Sequence, residues 1–166
     1  NPSHYRDPRT VGLMEKAFNI VPRAEIFAQT GLQFMEFNTL YQLLAMKQSN
    51  SPLLEMAERL LMIPDLFHFL LTGVKANEYT DVSTSQFYNP QTGDFARPLL
   101  EKFGLPTHIL GPLAKPGDNI GQLLSRVADE TGLHGVQVVL PGTHDTASAV
   151  MAVPAASVPG AKPDWC

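Results

Sequence analysis

The stretch that most constrains this chain runs from Val136 to Val153, VQVVLPGTHDTASAVMAV. Gln137 to Leu140 is rich in apolar, β-branched residues and is stopped by Pro141-Gly142, so it reads as a short buried strand. Thr146 to Val153 reads as a helix, with the small residues Ala147, Ser148 and Ala149 packed along it. Thr143-His144-Asp145 lies at the junction. Asp145 or Thr143 is placed to cap the helix, whose unpaired N–H groups favour a negative charge. A carboxylate at a strand end beside a His and a Thr also suits a general base. Position alone leaves both roles open, and capping is the commoner one.

The 166 residues suit one domain of ordinary size, and a hydrophobic share of 44% is enough for a core. A formal net charge of −4, without a basic run, argues against nucleic acid as the main partner. The longest apolar run, Leu60 to Leu71, is broken by Pro64, Asp65 and His68, which argues against a membrane span. The opening residues show no basic segment followed by an apolar run. Cys166 is the lone cysteine, which excludes an internal disulfide and a C-x-x-C metal site. A cytoplasmic protein is the expectation. The abrupt start without Met, and the Pro- and Gly-containing run before Trp165-Cys166, suggest a piece of a longer protein, with 154–166 a connector.

In chain order, Arg6, Asp7 and Arg9 cluster near the start, as an anion or polyol grip or as a self-satisfied ion-pair knot. The spacing predicts helices over Val11 to Asn19 and Pro22 to Gln29, the second stopped at Gly31. A further helix is predicted over Phe37 to Lys47, with Phe37, Leu40, Tyr41, Leu44 and Ala45 on one face and Asn38 as its cap. Ser51 is the expected cap of a helix over Leu53 to Leu61, and Pro64 opens another over Asp65 to Thr72. This pair is the most hydrophobic part of the chain and the expected core of the helical region, with His68 at its edge. Val74 to Asn89 reads as too polar for core: a loop, then a short helix from Asp81 to Phe87. A turn at residues 90–94 precedes a helix over Phe95 to Phe103. A short strand over Asn119 to Leu124 and a helix from Leu124 to Thr131 lead into the central stretch. No repeat, P-loop, G-x-G-x-x-G, metal-ligand spacing or G-x-S-x-G elbow occurs.

Several stretches together resemble the FGGY carbohydrate kinases, in the family's order and over essentially the whole chain. They are Tyr5-Arg6-Asp7-Pro8-Arg9-Thr10; Thr30 to Met35 with Phe37 to Leu43; Leu61 to Asp65 with Phe69 to Gly73; Asn77 to Thr80 with Ser83 to Gln86; and Pro141 to Val150. The last, PGTHDTASAV, is the most specific. The resemblance implies an α/β fold of the ribonuclease-H-like, actin-like ATPase type, helix-rich with a few strands. Residues 1–153 would then be part of the first of two domains facing a cleft. The family's early Asp-x-Gly-x-x-Ser/Thr phosphate loop and its second domain would lie outside this chain.

The resemblance is closest to members acting on L-rhamnulose, and implies transfer of the ATP γ-phosphoryl group to that sugar's 1-hydroxyl, with Mg²⁺, in L-rhamnose catabolism. ATP and Mg²⁺ would be bound mostly by regions outside this chain. The family's base falls on Asp145 and its sugar contacts on His144 and Thr146, which agrees with a reaction that needs a positioned carboxylate. Asp7 and Arg9 fall near the sugar cleft of related members, with bracing an equal alternative. Phe37 aligns with an aromatic flanking the polyol in glycerol kinases, although core packing is the stronger expectation from its helical spacing. Another ketose, L-fuculose or L-xylulose, or a non-catalytic sugar-binding or interaction domain of the same fold, is the alternative function. The piece alone is expected to be inactive and exposed to self-association through an open strand edge.

Overall fold

The computed structural model describes residue 4, residues 7–154 and residue 160; the expected connector at 154–166 lies mostly outside the described residues. A 3-10 turn, Pro8–Thr10, leads into α1 (Leu13–Ile20) and α2 (Arg23–Thr30). The second ends at Gly31, whose φ of 62° takes the left-handed conformation that stops a helix without a Cβ penalty. The central helix is α3 (Thr39–Gln48), which buries Leu40, Tyr41, Leu43, Leu44 and Ala45 against α1 and the first turn. Because α3 begins at Thr39, Phe37 lies ahead of the helix and off its apolar face. It is 43% exposed, so the expected core packing does not hold. Asn38 is buried instead, and its side chain donates to Gln33 O and Gln86 Oε1 rather than capping α3. Ser51 likewise makes no side-chain cap to α4.

Helix α4 (Pro52–Met56) is shorter than its apolar pattern suggests. The following backbone is drawn into a neighbouring segment: Leu60 N donates to Ile109 O at 2.8 Å, and His108 Nε2 lies 3.1 Å from Ala57 O. Helix α5 (Ile63–Thr72) follows, opened by Pro64 and closed by Gly73 at φ 77°. Its apolar residues are not the core. Ile63, Leu66, Phe67 and Leu70 are exposed, whereas Asp65 and Thr72 are buried. The core lies among α1 to α4 and the segment 82–110, with Ile26, Leu40, Tyr41, Leu99 and Leu100 fully enclosed.

The polar stretch 74–89 is the second departure. It forms β1 (Asn77–Glu78), α6 (Tyr79–Val82) and β2 (Tyr88–Asn89), and buries Asn77, Glu78, Thr80, Ser85 and Gln86. Burial of polar groups is tolerated where each finds a partner. Gln86, at φ 68°, donates to Thr30 Oγ1 and Leu32 O while accepting from Asn38. Strand β3 (Asp94–Phe95) pairs antiparallel with β2 around the expected turn, and α7 (Arg97–Lys102) follows. Strand β4 (Leu113–Ala114) pairs parallel with β1. The last unit is β5 (Asn119–Gln122), α8 (Ser125–Thr131) and β6 (Gln137–Val139), with β5 and β6 antiparallel. Strand β6 was expected to be buried, but Val139 is 53% exposed and only the following Leu140 is enclosed. The chain then turns through residues 141–144 into α9 (Asp145–Met151).

Candidate active site

The loop between β6 and α9 presents Asp145 at the first position of the helix. Its side chain is 97% exposed, Oδ1 accepts from Thr146 N at 2.7 Å, and His144 Nε2 lies 3.7 Å away. Thr146 Oγ1 lies 3.4 Å from the same oxygen. Neither sequence-derived cap forms. The N-cap position is His144, without a side-chain cap, and the Thr143 hydroxyl is committed elsewhere. At the other side of the turn, Ser148 Oγ donates back to Gly142 O, closing the loop on its own helix.

The Thr143 hydroxyl and amide both donate to Glu78 Oε2, at 2.6 and 3.0 Å. Glu78 is fully buried and also accepts from Thr80 N at 2.9 Å and from the Thr80 hydroxyl. Having donated to Glu78, the Thr80 oxygen accepts from His144 N at 3.2 Å. Behind this layer lies Asp65. Its Oδ1 accepts from Glu78 N at 2.9 Å, and its Oδ2 accepts from Asn77 Nδ2 at 2.8 Å and from Met62 N at 3.1 Å. The Met62 bond caps the start of α5.

Burial alone would raise the Glu78 pKa, but the hydrogen bonds from Thr143 and Thr80 outweigh it and hold the carboxyl below its usual range. For Asp65 the balance goes the other way: burial wins over its hydrogen bonds, and its pKa is raised. Burial, reinforced by the Asp65 charge, pushes Asp81 up to about 6, against the pull of His144.

Of the residues singled out from sequence, His144, Asp145 and Thr146 come together on this loop. Asp7 and Arg9 form an ion pair at 2.6 Å on the Pro8–Thr10 turn, which packs beside α3. Arg6, the third member of the expected cluster, lies outside the described residues, and the Arg9 bond holds Asp7 below the usual carboxylate range. Sequence reasoning missed Glu78, Thr80, Asp65 and Asp81 as parts of the site. The available signal was that Asp65, Glu78 and Thr80 fall within the family-resembling stretches Leu61 to Asp65 and Asn77 to Thr80, with Asp81 directly after the second. Among the described residues no three His, Cys, Asp or Glu side chains converge as a metal-binding group. The loop offers one carboxylate with a neighbouring imidazole and hydroxyl, which does not fit the full ligand set of Mg²⁺ or the phosphates of ATP.

The FGGY family of carbohydrate kinases, N-terminal domain, matches residues 3–152. The chain belongs to this family. It is 43% identical to the rhamnulokinase of Halalkalibacterium halodurans over 150 residues, which are 90% of this chain and 32% of that protein. It is 41% identical over 154 residues to the rhamnulokinase of Bacteroides thetaiotaomicron, covering 93% of this chain and 32% of the relative. It therefore spans about a third of the length of these relatives. Among solved structures, a ligand-bound xylulose kinase from Lactobacillus acidophilus superposes with a TM-score of 0.75 at 20% identity, over 82% of this chain and 28% of that one. A glycerol kinase from Plasmodium falciparum with ADP gives 0.67 at 17%, over 76% and 26%. The helix-rich fold with few strands expected from the motifs is thus the fold observed, and it is shared with these sugar kinases. Among the described residues no helix is long and apolar enough to cross a membrane.

Proposed function

We propose that the protein carrying this chain is an ATP-dependent sugar kinase that phosphorylates L-rhamnulose on its 1-hydroxyl, with Asp145 as the base. The observation that carries the reading is the Asp145 carboxylate. It is exposed at the head of α9, and one oxygen is fixed by Thr146 N at 2.7 Å. The other oxygen is left to meet a sugar hydroxyl. ATP would supply the phosphoryl group and Mg²⁺ would neutralise its charge, both held mostly by regions outside this chain. This chain's part would be to orient the sugar through His144 and Thr146 and to take the hydroxyl proton at Asp145, while the γ-phosphoryl group passes from ATP to the sugar oxygen and ADP leaves. Identities of 43% and 41% to two rhamnulokinases support L-rhamnulose over other ketoses.

Substrate choice is tested by ADP release from the full-length protein with L-rhamnulose, L-fuculose and L-xylulose. A kcat/KM for L-rhamnulose at least about tenfold above the other two, worth roughly 1.4 kcal/mol of transition-state binding, is expected. Equal values would remove the substrate assignment while leaving the kinase class intact.

A further inference from the structure

We propose that Glu78 is a positioning residue for phosphoryl transfer, acting through the Thr143–His144 backbone to place Asp145. The inference rests on the reading of Asp145 as the base.

Glu78 lies 65 residues before Thr143 and is fully enclosed. Its two oxygens do different jobs. Oε1 accepts from Thr80 N at 2.9 Å, which caps α6. Capping needs no more than this oxygen and the long contact from Asp81 N to Oε2 at 3.4 Å. Oε2 instead gathers the Thr143 amide, the Thr143 hydroxyl and the Thr80 hydroxyl. Through the Thr80 hydroxyl the hold extends to His144 N at 3.2 Å. Two successive amides immediately before Asp145 are thereby tied to one buried side chain and its neighbour. The anchor is itself fixed, because Glu78 N donates to Asp65 Oδ1 at 2.9 Å and Asp65 also caps α5.

The donor set requires a carboxylate. Every group facing the two oxygens is an N–H or O–H, and an amide in place of the acid would turn its own N–H₂ toward one of them. The exposed Asp145 side chain has few contacts of its own: Thr146 and His144 hold it, and both are its immediate neighbours in the chain. Its position is therefore set by the backbone that Glu78 holds. A displacement of about 1 Å in a reacting group can cost about 10²-fold in rate.

The test uses the full-length protein with Glu78→Gln, Thr143→Val and Thr143→Ser, each alone, and Glu78→Gln combined with Asp145→Asn. Glu78→Gln and Thr143→Val are each expected to lower kcat about 10- to 100-fold. Thr143→Ser, which keeps the hydroxyl, is expected to stay within about threefold of the parent. In the Asp145→Asn background, Glu78→Gln should lower the residual rate by less than about twofold, since acting through one group makes losses non-additive. A mere loss of folded protein would multiply with the Asp145→Asn loss, and that outcome overturns the proposal. If Glu78→Gln does not fold, the Thr143 pair decides: equal loss in Val and Ser, or loss in neither, overturns it. If Asp145→Asn alone keeps the parent rate, the base reading falls and this inference with it. If Asp145→Asn is inactive but the Glu78 and Thr143 variants keep their kcat, only the positioning role falls.

Discussion

Glu78 and Thr143 meet through one carboxylate oxygen, which accepts the Thr143 hydroxyl at 2.6 Å and the Thr143 amide at 3.0 Å. The contact joins β1 to the loop that leads into Asp145, and it is the point where the interior of this chain reaches the candidate base. Asp65 stands one layer deeper and ties the same strand to the start of α5. The candidate base is therefore exposed, but the backbone beneath it is built on two buried acids.

This construction gives stability a defined dependence on pH. The Glu78 pKa is lowered in the folded state from an ordinary 4.5. Its contribution is complete above pH 4.5 and is lost as pH falls through the lower folded-state value. Glu78→Gln should destabilise the full-length protein at pH 7, and the gap to the parent should narrow in acid. Thermal unfolding midpoints across that range would show it; a gap independent of pH would mean the charge of Glu78 plays no part.

Asp81 should behave with the opposite sign. Its pKa is raised from 3.8 to about 6, so between those values the folded state binds more protons than the unfolded one. Stability attributable to Asp81 falls as pH rises through this window. Asp81→Asn is expected to stabilise the protein by about 1–2 kcal/mol above pH ~7, with no gain below the unfolded pKa. Urea unfolding at both ends of the window checks this, and a gain that grows in acid would contradict it.

Gly111 allows a close approach. A Cβ there would lie 3.0 Å from both Arg59 Nη1 and Asn77 Oδ1, and 3.1 Å from Arg59 Cδ. Asn77 has little room to yield, since its amide is bonded to Leu60 O and Asp65 Oδ2. Gly111→Ala should cost about 1–3 kcal/mol, the range for overpacking. A denaturant midpoint equal to that of the parent would show that Arg59 and Asn77 move aside freely.

Tyr41 is fully buried, its hydroxyl has no hydrogen-bond partner among the described residues, and burial pushes its pKa up to about 12. Tyr41→Phe removes an unsatisfied polar atom while keeping the ring, so it should be neutral or stabilising by up to about 1 kcal/mol. A clear loss in unfolding free energy would reveal a partner for that hydroxyl.

The helices were legible because their ends are punctuated: Gly31, Gly73 and Gly132 stop α2, α5 and α8 with φ of 62°, 77° and 73°. The loop with His144, Asp145 and Thr146 was legible because strand, turn and helix signals follow one another without a gap. Burial was not. Leu66, Phe67 and Leu70 read as core, yet an apolar face shows only that it suits an apolar partner, and here all three are exposed. Glu78 and Asn77 read as surface, yet they are buried by partners far away in sequence, Thr143 and Gly111 among them. Local pattern carries no record of such pairings, so the support of the site was hidden while its tip was visible.

The most direct measurement is kcat for L-rhamnulose phosphorylation by the full-length protein and by its Asp145→Asn variant, followed as ADP release. Asn keeps the size of the side chain and its bond to Thr146 N but cannot take a proton. A fall of about 10²–10⁴-fold in kcat is expected, the usual contribution of a positioned general base. A variant that phosphorylates the sugar at the parent rate would contradict the assignment of Asp145.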